Sequence, residues 1–351
     1  MNVTFLIGNG FDLACGLKSS YPNVYEEYIK QPSQSEVVKK FKDDLIANKT
    51  KENWGNWSDF EMGMAEYAKK FNNEKELIEC VSDFKAFLED HLEQEERSFY
   101  FKFRNISKED KQTITENIIS SFHDFYKGVS NNITNYFRPR LLQGANINFI
   151  NFNYTRVFDF IIKNFYDKNA NICHIHGDLM NHDIVLGVNH DDQILKNFDL
   201  TNRGKRIFIK PFFNFEYDKE KLDRVERYII DSDCVCLFGL SLGDSDYIWK
   251  ELIIKQLSID KMTHVFLFDY ECEKLKIIDV GSRLNEEEYR KGTNKLAIEL
   301  CGKENKNFSK IHVPIGKKLF DIEKLFDVLQ HNDLKKTNVQ NIKDIPNKNI
   351  G

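Results

Sequence analysis

The sequence predicts an α/β protein with a parallel β-sheet, helices on both faces and a large helical insertion after the first strand. Short apolar runs alternate with segments of helical periodicity, which is the pattern of a parallel sheet covered by helices. The first apolar run ends in a Gly-Asn-Gly turn. A long, charged segment with helical periodicity then separates this run from the next one.

The strands are predicted from apolar runs that are bounded by polar or glycine-rich residues. These runs cover residues 2–7, 147–152, 172–175, 184–188, 207–209, 233–238, 265–268 and 310–313. Helical spacing of apolar residues in 156–166 and 246–257 places a helix between neighbouring strands, and residues 320–330 are predicted to form a closing helix. A helix between two strands favours their parallel pairing.

The insertion, residues 21–143, is predicted to be a set of packed helices. The chain has only 6 Pro and 17 Gly, so few residues would interrupt long helices. Apolar side chains recur at helical spacing in two stripes, at Phe84, Phe87, Leu88 and Leu92 and at Ile114, Ile118, Phe122 and Phe125. We therefore predict a core of residues 1–20 and 144–333, the helical insertion 21–143, and a flexible polar tail 334–351.

The composition argues against several classes of partner. A net charge of −5 gives no general attraction to nucleic acid or to anionic membranes. No apolar run approaches the roughly 20 residues that a membrane span requires, and the first residues lack the basic start of a secretory signal. Seven scattered cysteines are typical of reduced thiols. The sequence thus predicts a cytoplasmic protein without a membrane or nucleic-acid partner.

Four of the predicted strands are followed by glycine and polar residues. The four segments are 8–16 (GNGFDLACG), 151–155 (NFNYT), 174–178 (HIHGD) and 239–246 (GLSLGDSD). In an open parallel sheet, ligands bind beyond the carboxyl ends of the strands, near the point where the strand order reverses. We therefore expect the four segments to form one site of a Rossmann-like, nucleotide-binding core.

The first of these segments predicts a phosphate contact. Gly8 and Gly10 can adopt backbone angles that other residues avoid, and they allow a phosphate to approach the amide groups. The helix that follows offers unpaired amides and a positive dipole end. A simple tight turn is the alternative interpretation. Asp12 would repel a phosphate, but it could accept a hydrogen bond from a ribose hydroxyl or from water.

His174 and His176 share one face of a predicted strand. With Cys173, His182 and His190 nearby, a zinc site is conceivable, but the spacing fits no familiar ligand pattern, so no metal is expected. We interpret His174 as a structurally hydrogen-bonded histidine. His176 is the last side chain before a glycine turn, where a neutral imidazole could act as a general base.

Polar residues in the other two segments have both a structural and a functional interpretation. Asn153 either satisfies its own turn or holds a hydroxyl group or a water molecule with its amide. Ser241 and Asp246 either cap the helix that follows or contact the ligand. The charged segment 203–210 (RGKRIFIK) could contact a phosphate, but we interpret it as solvated surface. Trp57, Asp59 and Glu61 could reach the cleft, but we interpret them as residues of packing and of the start of a helix.

Taken in order, these motifs resemble the AbiH family of bacterial abortive-infection proteins. The resemblance rests on 6–17 (LIGNGFDLACGL), NFNYT, HIHGD with 184–190 (IVLGVNH), 238–246 (FGLSLGDSD) and, in the insertion, 57–61 (WSDFE). It runs from the first strand to about residue 260. The resemblance implies an antiphage role, and it leaves room for a phage-derived trigger and for a homo-oligomer.

More distantly, the pattern is similar to the sirtuin-like NAD-binding fold of antiphage NAD-hydrolysing enzymes. That similarity implies that NAD is the ligand or substrate, and that His176 and Asn153 are catalytic. Asp12 is added to the catalytic candidates because of its place after the glycine turn, where it could accept a hydrogen bond from a ribose hydroxyl or from water. It also implies a set of residues that contact NAD, namely Gly8, Asn9, Gly10, Phe11, Tyr154, Gly177, Gly239, Ser241 and Asp246. The chain has no paired C-x-x-C clusters, so the zinc module of protein-deacetylating sirtuins is not expected.

Three functions follow as hypotheses. The first is an NAD glycohydrolase that cleaves the nicotinamide–ribose bond. The second is a sensor that binds NAD or ADP-ribose without cleavage, which Asp12 and Thr155 favour if they prevent the chemistry, since both depart from the pattern of the catalytic enzymes. The third is a metal-dependent nuclease that would use Asp12, Asp178, Asp244 and Asp246.

Overall fold

A six-stranded, all-parallel sheet forms the centre of the molecule, as predicted. The computed structural model describes residues 1–49, 60–104, 106–210, 219–240, 246–259, 263–268, 300, 309–314 and 319–320. The strands are β1 (Asn2–Ile7), β2 (Asn146–Asn151), β3 (Ile172–His174), β4 (Cys234–Phe238), β5 (His264–Phe268) and β6 (Ile311–His312). Their order in the sheet is β3-β2-β1-β4-β5-β6.

In the described part of the chain, helices lie between the strands, and six of them occupy the predicted insertion between β1 and β2. In chain order the helices are α1 (Gly10–Ala14), α2 (Tyr21–Tyr28), α3 (Glu36–Lys49), α4 (Phe60–Tyr67), α5 (Glu74–Phe103), α6 (Lys108–His123), α7 (Asn131–Leu142), α8 (Val157–Phe165), α9 (Asn202–Phe208), α10 (Lys219–Ile230) and α11 (Tyr247–Ile259). None of these described helices is both long enough and apolar enough to cross a membrane.

Local sequence signals explain the ends of the long helices. The Asn73 side chain accepts a hydrogen bond from the Glu76 amide at the start of α5. Ser107 and Asp110 form a reciprocal capping box at the start of α6. The predicted closing helix lies outside the described residues apart from Phe320, and so does the whole predicted tail. The division into core, insertion and tail stays a prediction.

Side chains of β1 alternate between the two faces of the sheet, and helices cover both. Phe5 packs edge-to-face against Phe122 of α6, with ring centroids 5.0 Å apart. Leu6 faces the opposite way, into an apolar cluster that includes Ile229 of α10 and Ile253 of α11. A strand that is buried on both faces favours apolar residues on both, which is why β1 contains Val3, Phe5, Leu6 and Ile7. Thr4 is also buried, and its hydroxyl donates to the Tyr228 carbonyl.

Two predicted strands are wrong. Residues 184–188 form a loop whose single ladder contact pairs Val188 with Ile209. Residues 202–208 form helix α9, which begins after the capping residue Thr201. The loop 184–188 is apolar because its side chains pack against the helices of the insertion rather than within the sheet. A short buried run has the same composition in either setting, so the sequence pattern alone does not separate them.

The strand order places a crevice between β1 and β4. From β1 the chain continues to β2 and β3 on one side of the sheet, and to β4, β5 and β6 on the other. The connections therefore diverge beyond Ile7 and Phe238, which pair at the carboxyl ends of β1 and β4. This reversal of strand order is the position where open α/β sheets bind ligands.

Candidate functional site

A cleft of about 280 Å³ lies at the carboxyl ends of the strands, and all four predicted segments contribute to it. The helical insertion supplies further lining residues from α2, α4 and α5. The lining residues are Asn9, Asp12, Ser19, Ser20, Tyr21, Pro22, Glu61, Leu88, Leu92, Phe152, Asn153, Tyr154, Thr155, His176, Lys210, Gly239, Leu240 and Asp246. The structure thus brings together Asp12, Asn153, His176 and Asp246, as the sequence predicted.

The glycine turn packs against the loop that follows β4. A Cβ atom on Gly10 would lie 2.4 Å from the Cα atom of Gly239, and one on Gly8 would lie 2.4 Å from the Gly239 carbonyl oxygen. The Gly8 amide donates to the Phe238 carbonyl, and the Gly10 amide to the Gly239 carbonyl, both at 2.9 Å. Glycine is therefore required here by contact between two backbones.

These contacts limit the hydrogen-bond donors that the turn can offer to a ligand. The Phe11 amide also donates within the turn, to the Gly8 carbonyl at 3.0 Å. Three amides that could have held a phosphate are therefore already hydrogen-bonded. Of the four predicted turn residues, Asn9 lines the cleft, whereas Gly8, Gly10 and Phe11 do not. Their contact with a ligand stays a prediction.

Asp12 lies in the cleft wall with only neutral hydrogen-bond donors. Asp12 follows the glycine turn in the chain, and it is 1% exposed. The Thr155 hydroxyl donates to Asp12 Oδ2 at 2.6 Å, and the Asn153 amide lies 3.4 Å from Oδ1. Burial raises the pKa of Asp12 to about 7, against the opposing effect of the Thr155 hydrogen bond. Asp12 can therefore change its charge near neutral pH.

His176 lies in the cleft wall next to a carboxylate. Its Nε2 atom is 2.9 Å from Asp246 Oδ1. Burial lowers the pKa of His176, the charge of Lys210 adds to this effect, and Asp246 opposes it. The imidazole is therefore neutral near pH 7, and donation of its Nε2–H to Asp246 leaves Nδ1 as an acceptor. Nδ1 is buried and has no hydrogen-bond partner among the described residues.

Asp246 is ionised because two partners outweigh its burial. Burial opposes its ionisation, but the Lys210 ammonium and His176 hold the pKa of Asp246 well below its usual range. The Lys210 Nζ atom lies 3.3 Å from Asp246 Oδ1 and 3.5 Å from Glu61 Oε1. Tyr21 in turn donates to Glu61 Oε2 at 3.0 Å. A row of buried charged groups thus connects His176 with the helical insertion.

Lys210 and Glu61 line the cleft, although from the sequence we interpreted Lys210 as solvated surface and Glu61 as part of a helix start. The prediction of Lys210 as solvated surface is wrong, because its side chain is 4% exposed. The Glu61 side chain is also 4% exposed, and its carboxylate pairs with Lys210. Glu61 lies at the start of α4. One available signal is the position of Lys210 directly after three apolar residues, which favours a buried aliphatic part of its side chain.

His174 does not line the cleft and has a structural role, in agreement with its interpretation from the sequence. Its Nε2 atom is 2.8 Å from Asp159 Oδ2, and Nδ1 is 3.1 Å from the Asn153 carbonyl. Burial opposes protonation of His174, but the hydrogen bond to Asp159 outweighs it and raises the pKa. The pair supports the backbone of Asn153, which carries the amide that faces Asp12.

The remaining predicted residues have mixed placements. Tyr154 lines the cleft and donates to the Val185 carbonyl at 3.3 Å. Gly177 does not line it, and its φ of 75° is one that favours glycine. The predicted contacts at Trp57, Asp59, Ser241 and Asp244 lie outside the described residues.

A metal-dependent nuclease would require carboxylates that together can hold a metal ion. In the part of the chain that the structure describes, no group of three or more His, Cys, Asp or Glu side chains is arranged to do so. Asp178 accepts hydrogen bonds from the amide and the side chain of Asn181, at 3.0 and 2.7 Å. It therefore stabilises its own loop.

Comparison with known proteins identifies a family. The family model described as bacteriophage abortive infection AbiH matches residues 4–268, well over half of the chain. The matched range includes every residue that lines the cleft. No curated protein matches the chain.

Proposed function

The chain belongs to the AbiH family of bacteriophage abortive infection proteins, and we propose that its cleft hydrolyses NAD at the nicotinamide–ribose bond. The observation that carries the proposal is the state of His176. Its neutral ring is held by the ionised Asp246, and its Nδ1 atom is buried without a partner among the described residues. Such a nitrogen can accept a hydrogen bond from a ribose hydroxyl.

The charges of the cleft suit the proposed bond cleavage. Breaking a bond between ribose and a nitrogen leaves positive charge on the sugar, in an oxocarbenium-like transition state. Asp246 is ionised, and Asp12 ionises near neutral pH. Negative groups placed before the reaction stabilise such a developing positive charge. Residues that hold the ribose would therefore also favour its cleavage.

The size of the cleft indicates which part of NAD it would hold. Small-molecule sites range from about 300 to 1,000 Å³. A cleft of about 280 Å³ lies just below this range, so the nicotinamide–ribose half would fill it. The adenosine half would then lie outside, towards the loop that follows β4. The apolar side chains of Phe152, Leu88 and Leu92 would pack against the nicotinamide ring.

Activity of this kind would deplete NAD in an infected cell, so the resting protein must be restrained. The insertion already contributes cleft-lining residues from its helices α2, α4 and α5. A phage-derived trigger that shifts these helices would change access to the cleft. Restraint through a homo-oligomer is a second route to the same control.

Chromatographic measurement of NAD consumption tests the proposal. Purified protein is incubated with NAD alone and with lysate of phage-infected cells, and nicotinamide and ADP-ribose are quantified. We expect His176→Ala to lose at least about 100-fold in rate. The control is His123→Ala, which changes an exposed histidine on α6. Absence of cleavage under every trigger, or full activity of His176→Ala, would remove the proposal.

A second candidate function is binding without cleavage, and one observation favours it. The Asn153 side-chain amide donates to the Gly8 carbonyl at 3.1 Å and lies 3.4 Å from Asp12. These contacts engage the group that is predicted to orient the substrate. A sensor would show higher melting temperatures with NAD or ADP-ribose, and intact ligand would be recovered afterwards. Recovery of free nicotinamide would instead support the hydrolase.

A further inference from the structure

We propose that Asp12 is the general base that removes a proton from the attacking water, and that Thr155 is the positioning residue that orients its carboxylate. This inference rests on the proposed NAD hydrolysis. It assigns the two acid–base groups of the cleft different tasks, with His176 on a ribose hydroxyl and Asp12 on water.

The two oxygens of Asp12 have different surroundings. Oδ2 accepts a short hydrogen bond, 2.6 Å, from the Thr155 hydroxyl. Oδ1 has a long contact of 3.4 Å with the Asn153 amide, which is weak at that distance. Thr155 therefore fixes the orientation of the carboxylate, and Oδ1 keeps the capacity to accept a proton. Both Asp12 and Thr155 line the cleft, where water and substrate would meet them.

The groups that surround Asp12 place its ionisation in the range needed for this task. Burial is the largest cause and raises the pKa of Asp12 to about 7; Thr155 lowers it, and the negative charge of Glu96 raises it. A general base is most effective when its pKa lies near the working pH. The titratable groups that interact electrostatically with Asp12 are Cys15, which directly follows α1, Glu96 of α5, Asp159 of α8 and His174 of β3.

His176 is less suited to this task. Its ring is fixed to the ionised Asp246, and its lowered pKa keeps it neutral across the physiological range. A change of activity with pH near neutrality would therefore report Asp12. Opposite pKa shifts in two groups of one cleft are the usual sign of divided acid–base roles.

The step balances without a further reactant. The bond between C1′ of the ribose and the pyridinium nitrogen breaks, and its electron pair neutralises the nitrogen to give nicotinamide. The water oxygen forms the new bond to C1′, and one water proton passes to Asp12 Oδ1. The products are nicotinamide and ADP-ribose, and Asp12 then releases the proton to solvent.

The pH dependence of kcat/KM for NAD tests the inference. Activity of the wild type should rise with pH through about 7, as Asp12 ionises. Thr155→Val removes a hydrogen bond that lowers this pKa, so the acidic limb should move upward by about one pH unit. The matched control is Thr4→Val, which removes another buried threonine hydroxyl, one that bonds to the Tyr228 carbonyl at 2.8 Å. This control should leave the acidic limb in place.

Asp12→Asn provides the second measurement. We expect a loss of about 100- to 10,000-fold in hydrolysis, with NAD affinity by calorimetry changed less than about threefold. Azide added to Asp12→Ala should restore cleavage and give the ribosyl azide, because azide attacks C1′ without a base.

The outcomes separate this inference from the proposed function. If the wild type cleaves NAD but Thr155→Val keeps the wild-type pH profile, or Asp12→Asn keeps its activity, Asp12 is not the base and the hydrolase stands. If Asp12→Asn loses affinity as much as rate, its role is binding and the inference fails. If the wild type cleaves no NAD with any trigger, both proposals fall.

Discussion

Two carboxylates in the wall of one cleft have opposite states. Asp12 has neutral donors, Thr155 and Asn153, and its pKa is raised to about 7. Asp246 has Lys210 and His176 as partners, and its pKa lies well below its usual range. Burial alone opposes ionisation of both groups. The difference therefore comes from the charge of the partners, which decides whether a buried carboxylate keeps its proton.

The two sides of the cleft also have different origins in the chain. The Asp12 side consists of the segments that follow β1 and β2. The Asp246 side includes Lys210, which is also paired with Glu61 of α4. The charged side is thus completed by the helical insertion. A change in the position of α4 would act first on the charges around Lys210 and Asp246.

Removing the cation from the charged side should have the largest effect on stability. Lys210→Met leaves the carboxylates of Asp246 and Glu61 near each other without their shared counter-charge. We expect the free energy of unfolding to fall by about 3–5 kcal/mol, measured by urea denaturation at pH 7. The control, Lys39→Met, breaks an exposed ion pair with Glu36 and should cost less than about 0.5 kcal/mol. Similar losses in the two variants would contradict the comparison.

Replacing the carboxyl group of Asp12 should stabilise the protein at alkaline pH, whereas replacing Lys210 should destabilise it. The folded protein binds a proton at Asp12 up to about pH 7, whereas an aspartate in an unfolded chain has a pKa of about 3.9. The wild-type free energy of unfolding should therefore fall as pH rises from about 4 to 7, by up to about 4 kcal/mol. Asp12→Asn lacks this fall and should be more stable than the wild type at pH 8. Parallel pH–stability curves for the two proteins would show that the raised pKa is wrong.

The two sides of the cleft meet at the contact between Gly10 and Gly239. A methyl group added at Gly10 should push these two backbone segments apart. Gly10→Ala places a Cβ 2.4 Å from the Gly239 backbone, so we expect a loss of about 3 kcal/mol in the free energy of unfolding. Gly144→Ala is the matched control, because Gly144 has a φ of 108° and open space around it. Its cost should be about 1 kcal/mol, from backbone conformation alone. Equal costs would mean that the close approach is unimportant.

The smallest effect concerns the link from the charged side to α2. Tyr21→Phe removes the hydroxyl that donates to Glu61, and we expect a cost of about 1 kcal/mol in urea denaturation. Tyr28→Phe removes a hydroxyl that donates to Asp83, a residue with a partly exposed side chain. A larger cost for Tyr28→Phe than for Tyr21→Phe would argue against the importance of the Glu61 contact.

The sequence predicted the strands of the sheet correctly where the residues of the strand themselves show that it is buried. Most residues in 2–7 and 233–238 are apolar because both faces of these strands are buried, and the apolar residues are visible in the sequence of each strand. Residues 184–188 are also apolar because they are buried, but they form a loop that packs against the insertion. Their apolar pattern therefore wrongly predicted a strand. Apolar composition reports burial, whereas the hydrogen-bond partners that make a strand lie elsewhere in the chain.

By itself the sequence determined the α/β class and the clustering of Asp12, Asn153, His176 and Asp246, because parallel strands bring their carboxyl ends to one edge. Only the tertiary structure decided the ionisation of these groups and the place of Lys210. A pKa depends on burial and on charges within a few ångströms. Lys210 is paired with a glutamate from one part of the chain and an aspartate from another. The distances between these side chains cannot be derived from their spacing along the sequence.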